Sequence, residues 1–293
     1  MAYATNPIDI NRGTEGLVLS PEMSNEIISK AIEESFVMRL ARRVEVPGKG
    51  ISIPVITGEP IADFVAETAE KPVSNATFAT KTMTPYKIAV IELFSDEFRR
   101  DYAGLYDELV RRLPTAIHKK LDQTVIAGPT PGTGFDTLAN AATQAIDGDT
   151  YENIVAAYGE IAGKGYAPNG FALSPSAEVL LYGATDKSGR PLFTPSIADG
   201  SIGAILGAPV VKSANAAAGD VVGVLGDWSQ MVYGIVGDID LRFSADATVN
   251  DGTNQVNLWQ RNMFAVKAEF HIGVVTTSDD AFVLLTKDGV VSA

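Results

Sequence analysis

Histidine and cysteine are the residues that would most readily carry chemistry, and both are scarce in this sequence. The 293 residues include two histidines, His118 and His271, and no cysteine. No HExxH, HxH or Asp–His spacing indicates a metal site. The absence of cysteine excludes disulfides, thiolate nucleophiles and zinc–cysteine sites. We therefore expect structural roles: a solvated or interface position for His118, which lies beside Lys119 and Lys120, and a place within a strand for His271.

Other residue patterns that could support catalysis are also incomplete. The segment 128–134, GPTPGTG, has the composition of a phosphate-binding loop, but Phe135 and Asp136 follow it where a Walker loop needs Lys and then Ser or Thr. No GxSxG nucleophile elbow occurs. Trp228 and Trp259 are more typical of a core or an interface than of ligand stacking. The sequence thus predicts no catalytic residue, no metal site and no cofactor.

Composition narrows the classes of function further. Hydrophobic residues make up 46% of the chain, enough for one or two cores, and the formal net charge is −13. Proteins that bind free nucleic acid need basic patches, so the charge argues against sequence-specific DNA binding but not against a container that encloses DNA. No apolar run approaches the roughly 18 residues of a membrane helix. The N-terminus resembles no signal peptide, so synthesis in the cytoplasm and no membrane partner are expected.

The first part of the chain is predicted to contain an arm and a helix. Residues 1–19 are polar and show no sustained period, which indicates an arm that is ordered only by contact with another surface. A helix is expected from Ser20, with Pro21 at its first position and a stripe at spacing four that includes Phe36 and Leu40, and it is expected to end at Pro47 and Gly48.

A long two-stranded hairpin is predicted next, over residues 51–95. Apolar residues alternate with other types over 51–55, and the returning strand is expected to include Thr80 and to continue through Ile91. The polar segment 67–72 would form the tip. Because a lone hairpin is marginal in water, we expect its partner to lie on another chain, and an ordinary sheet-edge hairpin is the alternative.

The remaining elements predict an α+β fold. Leucine and isoleucine at spacing four indicate a helix from Leu105 to Gly128, about 35 Å long, which Pro114 should kink. The later predicted elements are a helix at 151–163, a strand at 171–173, a helix at 174–181 and several strands from 221 onward. The last two predicted strands, 254–275 and 282–285, are expected to pair with each other. Helices and strands do not alternate in a βαβ rhythm, so α+β is the expected class.

Six segments spread over most of the chain resemble a known family when they are taken in order. They are ADFVAETAEKPVSNATF (62–78), IAVIELFSDEFRRD (88–101), TDKSGRPLF (185–193), ILGAPVVKS (205–213), VLGDWSQMVYGIVGDIDLRFS (224–244) and QRNMFAVKAEFHIGVVTTSDDAFVLLT (260–286). Together they resemble the major capsid proteins of tailed phages with the Hong Kong 97 fold. Asp279 and Asp280 stand where proline is common in that family, which is a small departure.

The resemblance implies an α+β, Hong Kong 97-like capsid fold with five parts. They are an N-terminal arm and helix (1–43), an extended β-hairpin loop (44–95), the spine helix of a peripheral domain (96–139), an axial domain (140–236) and returning strands of the peripheral domain (237–293). The implied function is that of a major capsid protein, which assembles into hexamers and pentamers of an icosahedral virion head around double-stranded DNA. The residues expected to contact a neighbouring subunit are Glu67, Glu70 and Lys71, at the tip of the extended loop.

The resemblance also implies partners and leaves alternatives open. The expected partners are further copies of the chain, a portal, a decoration protein and a separate scaffolding protein, unless no scaffold is needed. Lys71 or Lys81 could in principle form the intersubunit crosslink of the type member with an asparagine of 250–257, but no caged acid is evident to promote it. An encapsulin, which is a bacterial compartment shell of the same fold, is the first alternative. A small-molecule enzyme is the second alternative, and the lack of a recognisable catalytic motif in the sequence argues against it.

Overall fold

A computed structural model shows a body of two sheets with helices packed against them. The described residues are 35–58, 60–65, 70–71, 73–74, 77–96, 105–185, 190, 192–193, 203–237, 239–250, 252 and 254–287. The predicted arm over 1–19, the predicted helix start at Ser20 and Glu67 of the hairpin tip lie outside these residues.

Three of the four helices of the described residues lie where the sequence predicts them, whereas the first, which was expected to end at Pro47, ends at Leu40 and is followed by a strand. The four helices are α1 (Phe36–Leu40), α2 (Leu105–Ala127), α3 (Thr150–Gly163) and α4 (Pro175–Tyr182). In α2 the buried residues Ile117, Leu121 and Val125 form one stripe at spacing four. Ser174 begins α4 as predicted, because its hydroxyl accepts a hydrogen bond from the backbone N–H of Ala177 at 3.3 Å.

The strands of the described residues outnumber the helices. In chain order they are β1 (Arg42–Glu45), β2 (Ile51–Gly58), β3 (Thr77–Met83), β4 (Tyr86–Ser95), β5 (Ala142–Ala145), β6 (Gly170–Leu173), β7 (Ala204–Ile205), β8 (Ala208–Lys212), β9 (Val221–Gly226), β10 (Met231–Ile235), β11 (Asp240–Ser244), β12 (Thr248–Asn250), β13 (Gln255–Asn257), β14 (Met263–Thr276) and β15 (Phe282–Thr286). Most strand pairs are antiparallel and no regular βαβ order occurs among them, which confirms the α+β class.

The longest strand, β14, organises a five-stranded sheet. β4 pairs with β14 along one edge, in continuous antiparallel register from Tyr86 to Ser95. β10 and β11 pair in succession along its other edge, and β1 lies parallel to β10 on the outside. The prediction that the returning hairpin strand continues through Ile91 is therefore wrong. The hairpin ends at Met83, and β4 belongs to the body because β14 offers it a full-length partner.

The second sheet has six strands in the order β5-β15-β9-β6-β8-β7. β15 pairs with β5 and β9, so the predicted closing pair of β14 with the last strand is wrong. Every residue of β15 is buried, which is typical of a central strand covered on both faces and not of a sheet edge. Consequently, residues 237–293 contribute to both sheets.

Buried clusters cover both faces of the six-stranded sheet. One face packs on α3 and α4 through a cluster that includes Ile154, and the other packs towards α1, α2 and the five-stranded sheet. Trp228, only 1% exposed, lies in this second cluster. Its ring meets Phe36 and Phe282 edge-on, and its Nε1–H donates a hydrogen bond to the carbonyl of Gly170 at 3.0 Å. This tryptophan therefore joins α1 to the six-stranded sheet.

A buried polar network joins α1 to α2. The fully buried carboxylate of Asp122 accepts a hydrogen bond from the hydroxyl of Ser35 at 2.7 Å and a longer one from the N–H of Phe36 at 3.4 Å. Asn215 also hydrogen bonds to Asp122, and its side-chain nitrogen lies 2.8 Å from Nδ1 of His118. His118 is thus buried, and the predicted solvated position is wrong, because the loop that carries Asn215 covers that side of α2.

The burial of Asp122 has a consequence for the pH dependence of stability. Burial raises the pKa of Asp122 to about 7, although the hydrogen bond from Ser35 acts in the opposite direction. In the unfolded chain the same carboxyl has a pKa of about 4. Between these values the folded protein holds the proton more tightly. The group therefore contributes stability that is complete below about pH 4 and is lost as pH rises through about 7.

We expect Asp122→Asn to flatten the pH dependence of the free energy of unfolding between about pH 4 and 7. The wild-type chain should lose up to about 4 kcal/mol more than the variant across this window, because only the wild-type residue titrates. Urea unfolding of unassembled subunits at several pH values measures the difference. Asp220→Asn at an exposed position is the matched control. Parallel pH profiles for wild type and Asp122→Asn would contradict the assignment.

Candidate intersubunit surface

The hairpin of β2 and β3 projects from the body. The two strands pair antiparallel with Ile51 opposite Met83 and Gly58 opposite Thr77, and they form a sheet of their own. The four consecutive residues 77–80 are all exposed. Because successive side chains of a strand point to opposite faces, β3 is exposed on both of its faces over these four residues. The predicted two-stranded hairpin is confirmed over these residues.

The base of the hairpin is fixed to the body by Met83. Its side chain is fully buried and packs on the backbone of Gly234 in β10 and Gly273 in β14. A Cβ atom at Gly273 would lie only 2.8 Å from Cγ of Met83, so a larger residue there would displace the methionine. Val46 and Val232 complete a small apolar cluster around it. The hairpin is therefore held at its base and extends outward from there.

Lys81 adds a polar contact between the base of the hairpin and the body. Nζ of Lys81 lies 3.0 Å from Oδ2 of Asp136 and donates a hydrogen bond to the carbonyl of Thr276 at 2.7 Å. The same carboxylate oxygen accepts the backbone N–H of Thr276 at 3.1 Å. A partly exposed ion pair contributes only about 0–1 kcal/mol, so its main effect is geometric. It also holds the amine of Lys81 within its own chain.

The tip of the hairpin exposes large apolar side chains. Phe64 is 104% exposed, Val73 91% and Ile61 78%. Of the residues predicted to contact a neighbouring subunit, Glu70 and Lys71 are exposed beside them, while Glu67 lies outside the described residues. Monomeric proteins rarely concentrate exposed apolar residues in this way unless the surface binds something. The tip thus combines charged and apolar side chains.

The sequence predicts only charged contact residues at the tip, whereas the structure also exposes apolar residues there. The available signal was a run containing Ile61, Phe64 and Val65 with no apolar stretch nearby that could cover it. In the structure the N–H of Ile61 donates a hydrogen bond to Oγ of Ser74 at 2.8 Å, which ties the two sides of the tip together.

The described residues do not bring catalytic side chains together. His271 lies in β14 opposite Lys87 of β4, as expected for a strand residue, and His118 lies in the buried network with Asn215. A cleft of about 590 Å³ between α2 and β4 is lined mainly by apolar residues, and no histidine or carboxylate is among those that line it. No cluster of three potential metal ligands occurs in the part of the chain that the structure describes. Within that part, no helix is long and apolar enough to span a membrane.

Comparison with known proteins agrees with a role in a shell. Residues 15–287 match the Phage capsid family. The probable major capsid protein of Mycobacterium phage L5 is 31% identical, and the alignment covers 92% of this chain and 89% of that protein.

Solved structures show the same fold. A chain from Gordonia phage Cozz superposes with a TM-score of 0.73 at 23% identity, covering 87% of each chain. A chain from Mycobacterium phage Bobi gives a TM-score of 0.71 at 25% identity, covering 96% of each chain. Since the family match extends over both sheets and the projecting hairpin, the chain belongs to the phage capsid family.

Proposed function

We propose that this chain is the major capsid protein of a tailed phage and builds an icosahedral head of hexamers and pentamers around double-stranded DNA. The observation that carries this proposal is the family match over residues 15–287, and the similarity to the probable major capsid protein of Mycobacterium phage L5 agrees with it. In this role the chain acts by assembly and not by catalysis. The encapsulin alternative receives no support over this function from the family or the relatives.

We assign the predicted parts of the capsid fold to the observed sheets. The extended loop corresponds to β2, β3 and the segment between them. The peripheral domain corresponds to the five-stranded sheet with α2 as its spine, and the axial domain to the six-stranded sheet with α3 and α4. Several strands depart from the predicted boundaries, since β1, β4 and β10 join the peripheral part and β15 joins the axial part. This assignment rests on the family resemblance and on strand pairing.

In the proposed shell, the hairpin tip lies on a neighbouring subunit. Burial of an aromatic side chain such as Phe64 contributes about 1.5–3 kcal/mol, whereas an exposed ion pair of Glu70 or Lys71 contributes about 0–1 kcal/mol. The apolar residues would therefore supply most of the free energy of the contact. Glu67, Glu70 and Lys71 would fix its register, because misplaced charges are penalised.

The other partners follow from the proposed role in the virion. A portal, a separate scaffolding protein and a decoration protein would join copies of this chain during synthesis and assembly in the host cytoplasm. The net charge of −13 suits an enclosure that does not grip its DNA. No sequence-specific contact with the genome is proposed.

We expect the purified chain to form closed rings or shells under native conditions, with its scaffold where one is needed. The reason is that residues 77–80 and the described apolar residues of the tip are exposed in the single chain, and symmetric copies can cover them. Negative-stain electron microscopy and sedimentation velocity measure this directly. A monodisperse monomer at high concentration, with and without the scaffold, would contradict the proposed function.

Deletion of residues 63–75, bridged by a short Gly-Ser turn, should abolish shells and leave the body folded. The base of the hairpin, with Met83 and Lys81, is retained in this variant. Circular dichroism and thermal melting test the fold, and sedimentation tests assembly. Normal shells from the variant would contradict the extended-loop assignment, and global unfolding would mean that the hairpin is part of the core of its own domain.

A point variant separates the apolar and the charged contributions of the tip. We expect Phe64→Ser to raise the protein concentration needed for assembly by about tenfold or more, because a buried aromatic contact is lost. The double variant Glu70→Gln, Lys71→Gln should raise it by less than about fivefold. Val155→Ser, at an exposed position on α3, is the control. A larger effect from the charge variant than from Phe64→Ser would reverse the ranking.

A further inference from the structure

The cleft between α2 and β4 has the size and the walls of a small-molecule site. Its volume of about 590 Å³ lies within the range of ligand pockets, which is roughly 300–1,000 Å³. One wall is β4, where Tyr86, Ile88 and Val90 alternate along the strand and therefore share a face. The other wall is a stripe of α2 that includes Ala116 and Lys120 at spacing four.

The inner part of the cleft is apolar. Ile117 and Leu121 of α2 are only 2% and 1% exposed, and Ile272 of β14 is fully buried. Phe135 also lines the cleft, and its ring meets that of Tyr86 edge-on at a centroid distance of 6.2 Å. An occupant would exchange water for contact with aliphatic and aromatic side chains, which favours an apolar chain.

The hydroxyl groups of the lining are already used within the protein. Oγ1 of Thr124 donates a hydrogen bond to the carbonyl of Lys120 at 2.7 Å, and the hydroxyl of Tyr86 donates one to the carbonyl of Thr133 at 2.8 Å. Oγ1 of Thr130 likewise donates to a carbonyl of its own loop. The side chains of the cleft therefore offer little to a strongly polar occupant such as a sugar, which needs several free hydrogen-bonding groups.

Lys120 supplies an uncompensated positive charge at the rim. Its side chain is exposed, and it forms no ion pair with any residue in the part of the chain that the structure describes. The other lysine of the lining, Lys87, is paired, because its Nζ lies 3.1 Å from Oε2 of Glu269. No carboxylate lines the cleft, so an anionic group at the rim would meet an ammonium group without a repelling neighbour in the lining.

We propose that this cleft binds a small amphiphile that has one alkyl chain and an anionic head group, such as an alkyl carboxylate. The alkyl chain lies between the apolar walls, and the head group pairs with Lys120. Two features select this class of ligand: an apolar lining whose hydroxyl groups are used, and one unpaired ammonium group at the rim. The site is formed within a single chain, so it goes beyond the proposed shell function and its test does not depend on assembly.

Isothermal titration calorimetry of unassembled subunits with dodecanoate, below its micelle concentration, tests the proposal. We expect one saturable site, and decanoate should bind about tenfold more weakly because two fewer methylene groups are buried. Equal affinity for the two carboxylates would overturn the proposal. Absence of saturable binding would also overturn it and would leave the cleft to another segment of this chain or to a second copy.

A charge variant tests the position of the head group. Lys120→Gln should raise the dissociation constant of dodecanoate by about two- to fivefold, since an exposed ion pair contributes little. Lys119→Gln is the matched control, because Lys119 is also exposed on α2 but does not line the cleft. Equal effects of the two variants would mean that the head group does not lie at Lys120, and would overturn the proposed orientation.

A variant that fills the cleft tests its location. Ala116 is exposed at the rim, so Ala116→Phe should weaken dodecanoate binding by at least tenfold and leave the melting of the free subunit unchanged. Val155→Phe, at an exposed position on α3, is the control. If Ala116→Phe does not fold, Ala89→Phe on the opposite wall provides the same test. Wild-type affinity in a folded variant of this kind would overturn the proposal, even if shells form normally.

Discussion

A two-stranded hairpin cannot bury its own faces, and this constraint governs how the molecule is built. Among the described residues, β2 and β3 pair only with each other, so water or another surface must meet their outer half. The chain meets the constraint at the base, where Met83 packs on the backbone of Gly234 and Gly273. Glycine at both positions allows the close approach, and the body thereby fixes where the hairpin begins. The body does not cover the described residues of the tip, so a different surface must do so.

The body can act as a rigid platform because its second sheet is buried on both faces. Helices cover one face, and α1, α2 and the five-stranded sheet lie towards the other. Trp228 and the network around Asp122 join elements that are far apart in sequence. A buried carboxylate is costly to desolvate, and removal of its partners would leave a polar group unsatisfied. The network therefore favours one specific arrangement of α1 on α2.

Assembly of this chain must overcome the repulsion between copies that each have a net charge of −13. Isolated surface ion pairs are too weak to offset that repulsion, whereas burial of exposed apolar side chains acts regardless of charge. The structure displays such side chains at the hairpin tip, among them Phe64. The charged residues beside these apolar side chains can then determine the register of each contact, because misplaced charges are penalised. This division of roles is consistent with membership of a shell-forming family.

Local patterns in the sequence determined a large part of the fold. The stripe through Ile117, Leu121 and Val125 defined α2, the Ser174 cap defined the start of α4, and alternation over 51–55 indicated the hairpin. These features depend on neighbours within a few residues, so they can be read without the tertiary structure.

Pairings between distant segments were decided only by the tertiary structure. β4 resembled a continuation of the hairpin and β15 resembled the partner of β14, because a strand's own sequence shows its burial but not its neighbour. The position of His118 against Asn215, 97 residues away, was likewise invisible to local periodicity. The exposure of Phe64 and Trp259 could not be predicted from the local sequence either. An apolar residue can contact a partner only if the fold leaves it uncovered, and that depends on the arrangement of the whole chain.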